Sequence, residues 1–412
     1  MKSDAGPAAT EEMVGELGLA MLAAGYAVTD IQNALNRVGA AEEAGALSIG
    51  VFPSAILTDS AVLKRARIFS QPLSTSLRWD QACEVGRIAS DAASGRESPA
   101  GVRQRLQSTL SSGPKYPPAL AVLGSGLVSG GIAVVFGTSI AAAALALILG
   151  MAVGLMLLWA GRHPRLSAVL PLLCGFLVSA AVIGVGHHVG LGPAPLYAVC
   201  APLLMLVPAA TITNGVIELA GGDLISGGGR IASGLLIWAT LALGVVGGAA
   251  AVGADVGVLA TLPTKELPGW TAWLALVVMA VGVGLFFSAS PTLMITIAVA
   301  LELSYAIVKA VELRWDPVLA AGVAAAVMLP LLRIVERYRP DLPVIVTFRA
   351  AFWLLVPGSL GLVTFTELGE GIRGASALIP VIGMVISISA GVQVGAMIGQ
   401  LAVPPPGGAP TP

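Results

Sequence analysis

The sequence predicts an α-helical membrane protein with about ten transmembrane helices, preceded by a small α/β domain. Its composition is the first observation behind this prediction. Hydrophobic residues make up 56% of the 412 residues and charged residues only 11%, and the mean hydropathy is +0.89. Because a soluble protein needs roughly a quarter of its residues charged to cover its surface, much of this surface must face lipid.

The second observation is a succession of apolar segments between residues 119 and 403. Each is close to the roughly 20 residues that a helix needs to cross a bilayer. The predicted spans are residues 119–136, 139–159, 166–188, 194–212, 229–252, 269–287, 291–310, 317–335, 343–365 and 375–399. We divide them into two halves, residues 118–253 and 254–403, and expect the proline-rich residues 404–412 to form a disordered tail.

Residues 1–117 have a different character, since they hold 12 of the chain's 23 acidic residues. An apolar stripe from Val28 to Val38 predicts an amphipathic helix, with Thr29 and Gln32 as its capping box. Strands are predicted at 47–51, 55–58 and 65–68, and helices at 77–93 and from Ser98 onward. Because no apolar leader precedes this domain, we expect it and the C-terminus to be cytoplasmic.

This orientation agrees with a modest excess of arginine in the loops that it places inside. The inside arginines are Arg162, Arg165, Arg333, Arg337 and Arg339, against Lys265, Arg314 and Arg373 outside. Gly-x-x-x-Gly spacings, which let membrane helices approach closely, recur at Gly126/Gly130, Gly150/Gly154, Gly244/Gly248 and Gly391/Gly395/Gly399.

A repeated motif points to two related halves. Leu206-Val207-Pro208 is followed by Glu218-Leu219, and the same pattern, Leu355-Val356-Pro357 with Glu367-Leu368, returns 149 residues later. Five spans per half is an odd number, so the halves would enter the membrane in opposite senses. Secondary transporters often have such inverted repeats, with their sites on broken helices near the membrane midplane.

The two prolines mark the candidate binding site. Proline inside a helix removes a backbone hydrogen bond, so carbonyl groups near Pro208 and Pro357 become available to a solute. Polar groups and one glycine surround the two breaks, namely Thr211, Thr213 and Asn214 in the first half and Gly358, Ser359 and Thr364 in the second. They suit a small polar or zwitterionic solute. The simpler alternative is that the prolines only kink their helices and the threonines bond to their own backbone.

Here the sequence resembles the bacterial threonine/serine exporters. The resemblance lies in Leu206-Val207-Pro208, Thr213-Asn214, Glu218-Leu219, Gly222-Asp223, Ser226-Gly227, Arg230 and Val356-Pro357-Gly358-Ser359. The chain departs from the family pattern at Ala209, usually glycine, and at Glu218, where aspartate is common. The resemblance implies export of small amino acids, above all threonine and serine, driven by the proton-motive force.

Ionisable groups inside membrane segments are costly and are therefore functional candidates. Glu302 lies in the middle of an apolar segment and is the first candidate for proton coupling, the alternative being a structural pair with Lys309. Glu218 and Glu367 follow as symmetry-related candidates. Asp223 is a fourth, the alternative for Asp223 and Arg230 being a position in a cytoplasmic loop. Arg349 either extends to the cytoplasmic interface or binds a substrate carboxylate.

Other functions are excluded by what the sequence lacks. A net charge of −1 does not suit a nucleic-acid binder. Three cysteines indicate neither a disulfide framework nor a zinc cluster, and Gly227-Gly228-Gly229 lacks the Gly-Lys of a phosphate loop. We therefore expect no cofactor, no metal and no enzyme activity.

The favoured hypothesis is a multi-pass exporter in the bacterial cytoplasmic membrane that exchanges threonine or serine for protons by alternating access. Its partners would be the amino acid, protons and the lipid bilayer, and a homo-oligomer is compatible with these features. Two alternatives stay open: an exporter of small dicarboxylates such as succinate, and a membrane sensor without transport.

Overall fold

The computed structural model describes residues 6–41, 47–70, 76–186, 196–220, 222–254, 267–355 and 378–402. The chain divides into two compact units. Unit 1 comprises Met1–Lys115, Ile217–Gly228 and Leu332–Val346. Unit 2 comprises Tyr116–Val216, Gly229–Leu331 and Thr347–Pro412.

The described residues before Tyr116 form four helices and a three-stranded antiparallel sheet of order β1-β2-β3. The elements are α1 (Pro7–Ala24), α2 (Val28–Ala41), β1 (Leu47–Phe52), β2 (Ala55–Ser60), β3 (Arg65–Ser70), α3 (Trp79–Ala93) and α4 (Pro99–Ser111). All three predicted strands are present, each one or two residues longer than predicted. Ser98 caps α4 as predicted, because its side chain accepts a hydrogen bond from the Gly101 amide.

Helix α1 was not predicted, because its apolar residues surround the helix and leave no amphipathic stripe. It lies in the core of this part of unit 1, where Met13, Val14 and Leu17 are at most 1% exposed. Glu11 is buried on the same helix, and the Arg65 guanidinium binds its carboxylate at 2.6 Å. The burial of a charge is tolerated here because it is paired.

The predicted capping box at Thr29 is wrong. Helix α2 begins at Val28, so Thr29 lies inside the helix. The Gln32 amide donates instead to the carbonyl of Ile49 in β1, at 2.6 Å. The sheet packs against α2 and brings the Ile49 carbonyl within reach of Gln32, so the Gln32 side chain bonds to β1 and not to the backbone of Thr29.

The remaining helices include the apolar segments. They are α5 (Pro118–Val135), α6 (Ile140–Ala160), α7 (Pro164–Ser167), α8 (Leu170–Gly186), α9 (Leu196–Leu203), α10 (Ala209–Ala220), α11 (Leu224–Ala251), α12 (Trp270–Phe286), α13 (Pro291–Glu312), α14 (Pro317–Tyr338), α15 (Val344–Leu355) and α16 (Leu378–Ala402).

Within the described residues, six helices are long and apolar enough to cross a membrane: α5, α6, α11, α13, α14 and α16. Helices α8, α12 and α15 are apolar but shorter. The chain is therefore a polytopic membrane protein. Each of the ten predicted segments contains a helix, while ten crossings remain a prediction.

Helices α5 and α12 pack in opposite directions through glycines. A methyl group added to Gly124 would lie 2.5 Å from the carbonyl oxygen of Gly282, and one added to Gly282 would lie 2.6 Å from that of Gly124. Farther along α5, Gly131 meets Ala275. Because the contact moves forward along α5 and backward along α12, the two helices are antiparallel, and the reciprocal glycine contacts give them a local two-fold relation.

The turns that follow these two helices have the same structure. Gly137 and Ser288 have positive φ angles of 77° and 60°, and the next residue donates its N–H to the carbonyl five residues back. Ser139 and Ser290 then cap α6 and α13 through hydrogen bonds of 3.2 Å. Each residue of the second turn follows its counterpart by 151 residues.

Two further helix crossings correspond to each other. Glycines of α11 approach carbonyl groups of α8, and glycines of α16 approach carbonyl groups of α14. The contacts are Gly244 with Leu172, Gly248 with Phe176, Gly391 with Gly322, and Gly395 with Ala326. The two glycine pairs are 147 residues apart and the residues that they contact are 150 apart, so the offset between the halves falls from 150 through 149 at the proline motif to 147. The predicted glycine spacings thus mark close helix contacts, as also at Gly150 and Gly154, which face Ser129 and Ser125 of α5.

The α5–α12 contact predicts the effect of two substitutions. Gly124→Ala and Gly282→Ala should each lower the free energy of unfolding by about 1–3 kcal/mol, because the added methyl group meets backbone atoms that cannot move aside. Thermal unfolding of the purified protein in detergent measures this change. Gly229→Ala is the control, since open space surrounds Gly229 in α11. Equal melting temperatures for all three variants and the parent would contradict the predicted contact.

Candidate functional site

The fourth apolar segment is interrupted at Pro208. Helix α9 leads into a 3₁₀ turn at Leu204–Leu206, and Val207 is extended with φ −67° and ψ 123°. Pro208 is buried, and α10 begins directly after it. The extended residue ends the helical hydrogen-bond ladder, so the chain contains a break and not only a kink at the first proline of the motif.

Polar side chains follow the break on α10. Thr211 and Asn214 are half-buried, and neither side chain makes a hydrogen bond within the described residues. Thr211 therefore does not bond back to its own helix, which was the alternative to a binding role. Between them, Ile212 packs against Gly234 of α11, where any side chain would overlap it. The side chain of Thr213 lies outside the part described.

Pro357, Gly358, Ser359, Thr364 and Glu367 all lie outside the described residues, and α15 is described to Leu355. Their role in the site remains a prediction.

Glu302 lies in the middle of α13 and is half-buried. Its Oε2 atom is inaccessible to solvent and has no hydrogen-bond partner among the described residues. The alternative pair with Lys309 does not form, because the Lys309 ammonium binds Glu312 at 2.7 Å. An unpartnered carboxylate oxygen in an apolar helix is unfavourable unless the group is protonated or binds a ligand.

Arg349 lies in the middle of α15 and is half-buried. The charged group that acts on it is another cation, Arg230 of α11. No carboxylate pairs with Arg349 within the described residues. A guanidinium in an apolar helix with no carboxylate beside it can bind an anion, so Arg349 keeps the predicted alternative of binding a substrate carboxylate. Arg230 itself lies on α11 and not in a loop.

Glu218 near the end of α10 and Asp223 just after this helix have structural partners. Glu218 is 1% exposed, and its Oε1 accepts a hydrogen bond of 3.4 Å from the backbone N–H of Val28 at the start of α2. Asp223 caps α11, with its Oδ1 accepting from the Ser226 amide at 3.2 Å. The contact between Glu218 and Val28 spans 190 residues of sequence, so no local pattern could have indicated it.

Within the described residues, no group of three or more histidine, cysteine, aspartate or glutamate side chains is arranged to hold a metal ion. The described part of the site consists of a helix break at Pro208, a half-buried Glu302 with one inaccessible oxygen, and Arg349 on an apolar helix. Residues 12–252 match a family whose description is "Putative threonine/serine exporter" (ThrE).

Because this match covers more than half of the chain, the protein belongs to the threonine/serine exporter family, and the resemblance noted in the sequence is confirmed. No curated protein and no solved structure matches the chain. Threonine/serine export is therefore the activity suggested by the family, which is not a class of enzymes.

The capping contact of Asp223 leads to a prediction. Asp223→Ala should destabilise the start of α11 by about 0.5–2 kcal/mol, whereas Asp223→Asn should retain stability because asparagine caps helices as well as aspartate does. Thermal unfolding of both variants measures this difference. Unchanged stability of Asp223→Ala would contradict the cap, and lost transport with unchanged stability in Asp223→Asn would add a role of the carboxylate in the proton pathway.

Proposed function

We propose that the protein is a secondary active exporter of threonine and serine in the bacterial cytoplasmic membrane. It exchanges the amino acid for protons by alternating access between two inverted halves, residues 118–253 and 254–403. The substrate binds between the breaks at Pro208 and Pro357. The observation that carries the proposal is the interrupted segment around Pro208 in a chain of the exporter family.

The inverted arrangement is supported by three correspondences between the halves. Helices α5 and α12 are antiparallel with reciprocal glycine contacts. The α5–α6 and α12–α13 turns share their backbone hydrogen bonds, and the α8–α11 crossing resembles the α14–α16 crossing. The distance in sequence between corresponding residues of the two halves decreases along the chain, from 151 at the turns and 150 at Leu172 to 149 at Pro208 and 147 at Gly244. A duplicated unit that has lost a few residues in its second copy would have this pattern.

Proton coupling is assigned to Glu302, together with either Glu218 or Glu367. The buried, unpartnered Oε2 of Glu302 supports this assignment. A carboxyl group without a permanent cationic partner can accept a proton on one side of the membrane and release it on the other. The hydrogen bond from Val28 gives Glu218 a structural role, so Glu302 is the principal candidate.

Glu302→Gln tests the coupling. In proteoliposomes, threonine flux driven by a pH gradient should fall to the level without a gradient, while exchange of threonine for threonine, which needs no net proton transfer, should persist. Glu312→Gln on the same helix is the matched control and should behave as the parent. A pH-gradient dependence that survives in Glu302→Gln would remove Glu302 from the coupling role.

A second candidate function is export of small dicarboxylates. The proximity of Arg230 to Arg349 favours it, because two cations suit two carboxylates. A single arginine also suffices for the carboxylate of an amino acid, and the family favours threonine and serine. The two functions therefore differ in the number of carboxylates on the substrate: two in a dicarboxylate such as succinate, and one in threonine or serine.

Counterflow of radiolabelled threonine, serine and succinate distinguishes these functions. We expect threonine and serine to exchange, and Arg349→Gln to raise the KM for threonine more than Arg349→Lys does, because lysine keeps the charge. Succinate that exchanges in preference to threonine would establish the dicarboxylate function. Purified protein that exchanges none of the three would support the sensor alternative.

A further inference from the structure

We propose that residues 26–30, which include the first turn of α2, form a clamp that opens during each transport cycle. The clamp ties the α10–α11 connection (residues 217–228) to the α14–α15 connection (residues 332–346). The inference rests on the proposed alternating-access function. It assigns a role to the part of the chain before the membrane segments, which the exporter function by itself does not require. All of its contacts lie within unit 1.

The first contact of the clamp is with the connection that belongs to the first half. The N–H of Val28 donates to the Glu218 carboxylate at 3.4 Å, and Glu218 is 1% exposed. The first turn of a helix has unpaired N–H groups and a positive dipole end, and both favour a carboxylate at this position. Glu218 therefore acts as a cap for α2 supplied from a distant part of the chain.

The second contact is with the connection that belongs to the second half. Asp30 lies two residues after Val28, and the Arg333 guanidinium is 3.6 Å from its carboxylate. Beside this pair, the Tyr26 hydroxyl and the Pro343 ring both face Gly86 of α3. Tyr26 is half-buried, and the desolvation of its hydroxyl raises its pKa well above the usual value, an effect to which the negative charge of Glu336 on α14 adds.

The connection of the second half is itself held in shape. The Glu336 carboxylate accepts a hydrogen bond of 3.2 Å from the amide of Val344, where α15 begins. Leu342 between them is 4% exposed. Residues 332–346 therefore form an ordered surface against which the beginning of α2 packs, and a movement of α14 or α15 would be transmitted to Asp30 and Tyr26.

These contacts have the strength expected of a switch that opens. A short hydrogen bond to a charged group shifts an equilibrium by about tenfold to a hundredfold, and the 3.4 Å bond between Val28 and Glu218 contributes less than that. A partly exposed ion pair shifts it by up to about fivefold. Together they bias the protein towards the conformation in which both connections meet α2, yet thermal motion can still separate them. Movement of the two halves against each other requires one of the contacts to break.

Cross-linking tests whether the clamp must open. In a variant with Cys83, Cys174 and Cys200 replaced by alanine, Asp30→Cys and Arg333→Cys place one thiol on each side of the second contact. A short bismaleimide should join them and stop threonine counterflow in proteoliposomes, whereas a monofunctional maleimide should not. The matched control pair is Glu97→Cys with Arg105→Cys, which replaces an ion pair of 2.8 Å within residues 1–115; its cross-link should leave counterflow unchanged.

Full counterflow by the cross-linked Asp30–Arg333 variant would overturn the clamp. A cysteine-free parent that exchanges neither threonine, serine nor succinate would contradict the proposed function instead. Hydrogen exchange then tests the clamp without transport: Asp30→Ala should speed amide exchange in peptides from residues 332–346 by up to about fivefold, the effect of one partly exposed ion pair. Unchanged exchange in these peptides would also overturn it.

Discussion

Close approach of backbones at glycine positions is the constraint on which the membrane part depends. Lipid is as apolar as the helices, so hydrophobicity does not hold helices together there, and packing must. At Gly124 and Gly282, at Gly244 and Gly248, and at Gly391 and Gly395, the facing helix leaves no room for a side chain. These contacts set which helices are neighbours and in which direction each one runs.

The same constraint explains where polar chemistry can occur. Tightly packed helices leave little space for water, so a break in a helix or an unpaired carboxylate must be satisfied by a ligand, a proton or another part of the protein. The break at Pro208 and the Oε2 atom of Glu302 are two such places. Arg349 is a third, because the charge acting on it has the same sign. A carrier for a small zwitterion needs groups of these three kinds.

Much of this could be predicted from the sequence, and the failures have physical causes. The apolar segments, the strands from Leu47 to Ser70 and the break at Pro208 follow from local pattern. Helix α1 was missed because a helix buried on all sides has no periodic stripe. The capping box at Thr29 failed because Gln32 found a partner in β1. Arg230 was undervalued, since only folding shows that it lies near Arg349.

By itself, the sequence determined that the chain spans a membrane, that two stretches share a proline motif, and that Glu302 lies in an apolar segment. These properties follow from the composition and from the order of residues within each segment. Burying polar groups in lipid is costly, so spanning segments are almost entirely apolar and can be recognised in the sequence. Only the tertiary structure decided which glycines meet, that α5 and α12 are antiparallel, and that Glu218 caps α2. Those contacts join residues up to 190 positions apart, and they depend on the shapes of several packed helices at once.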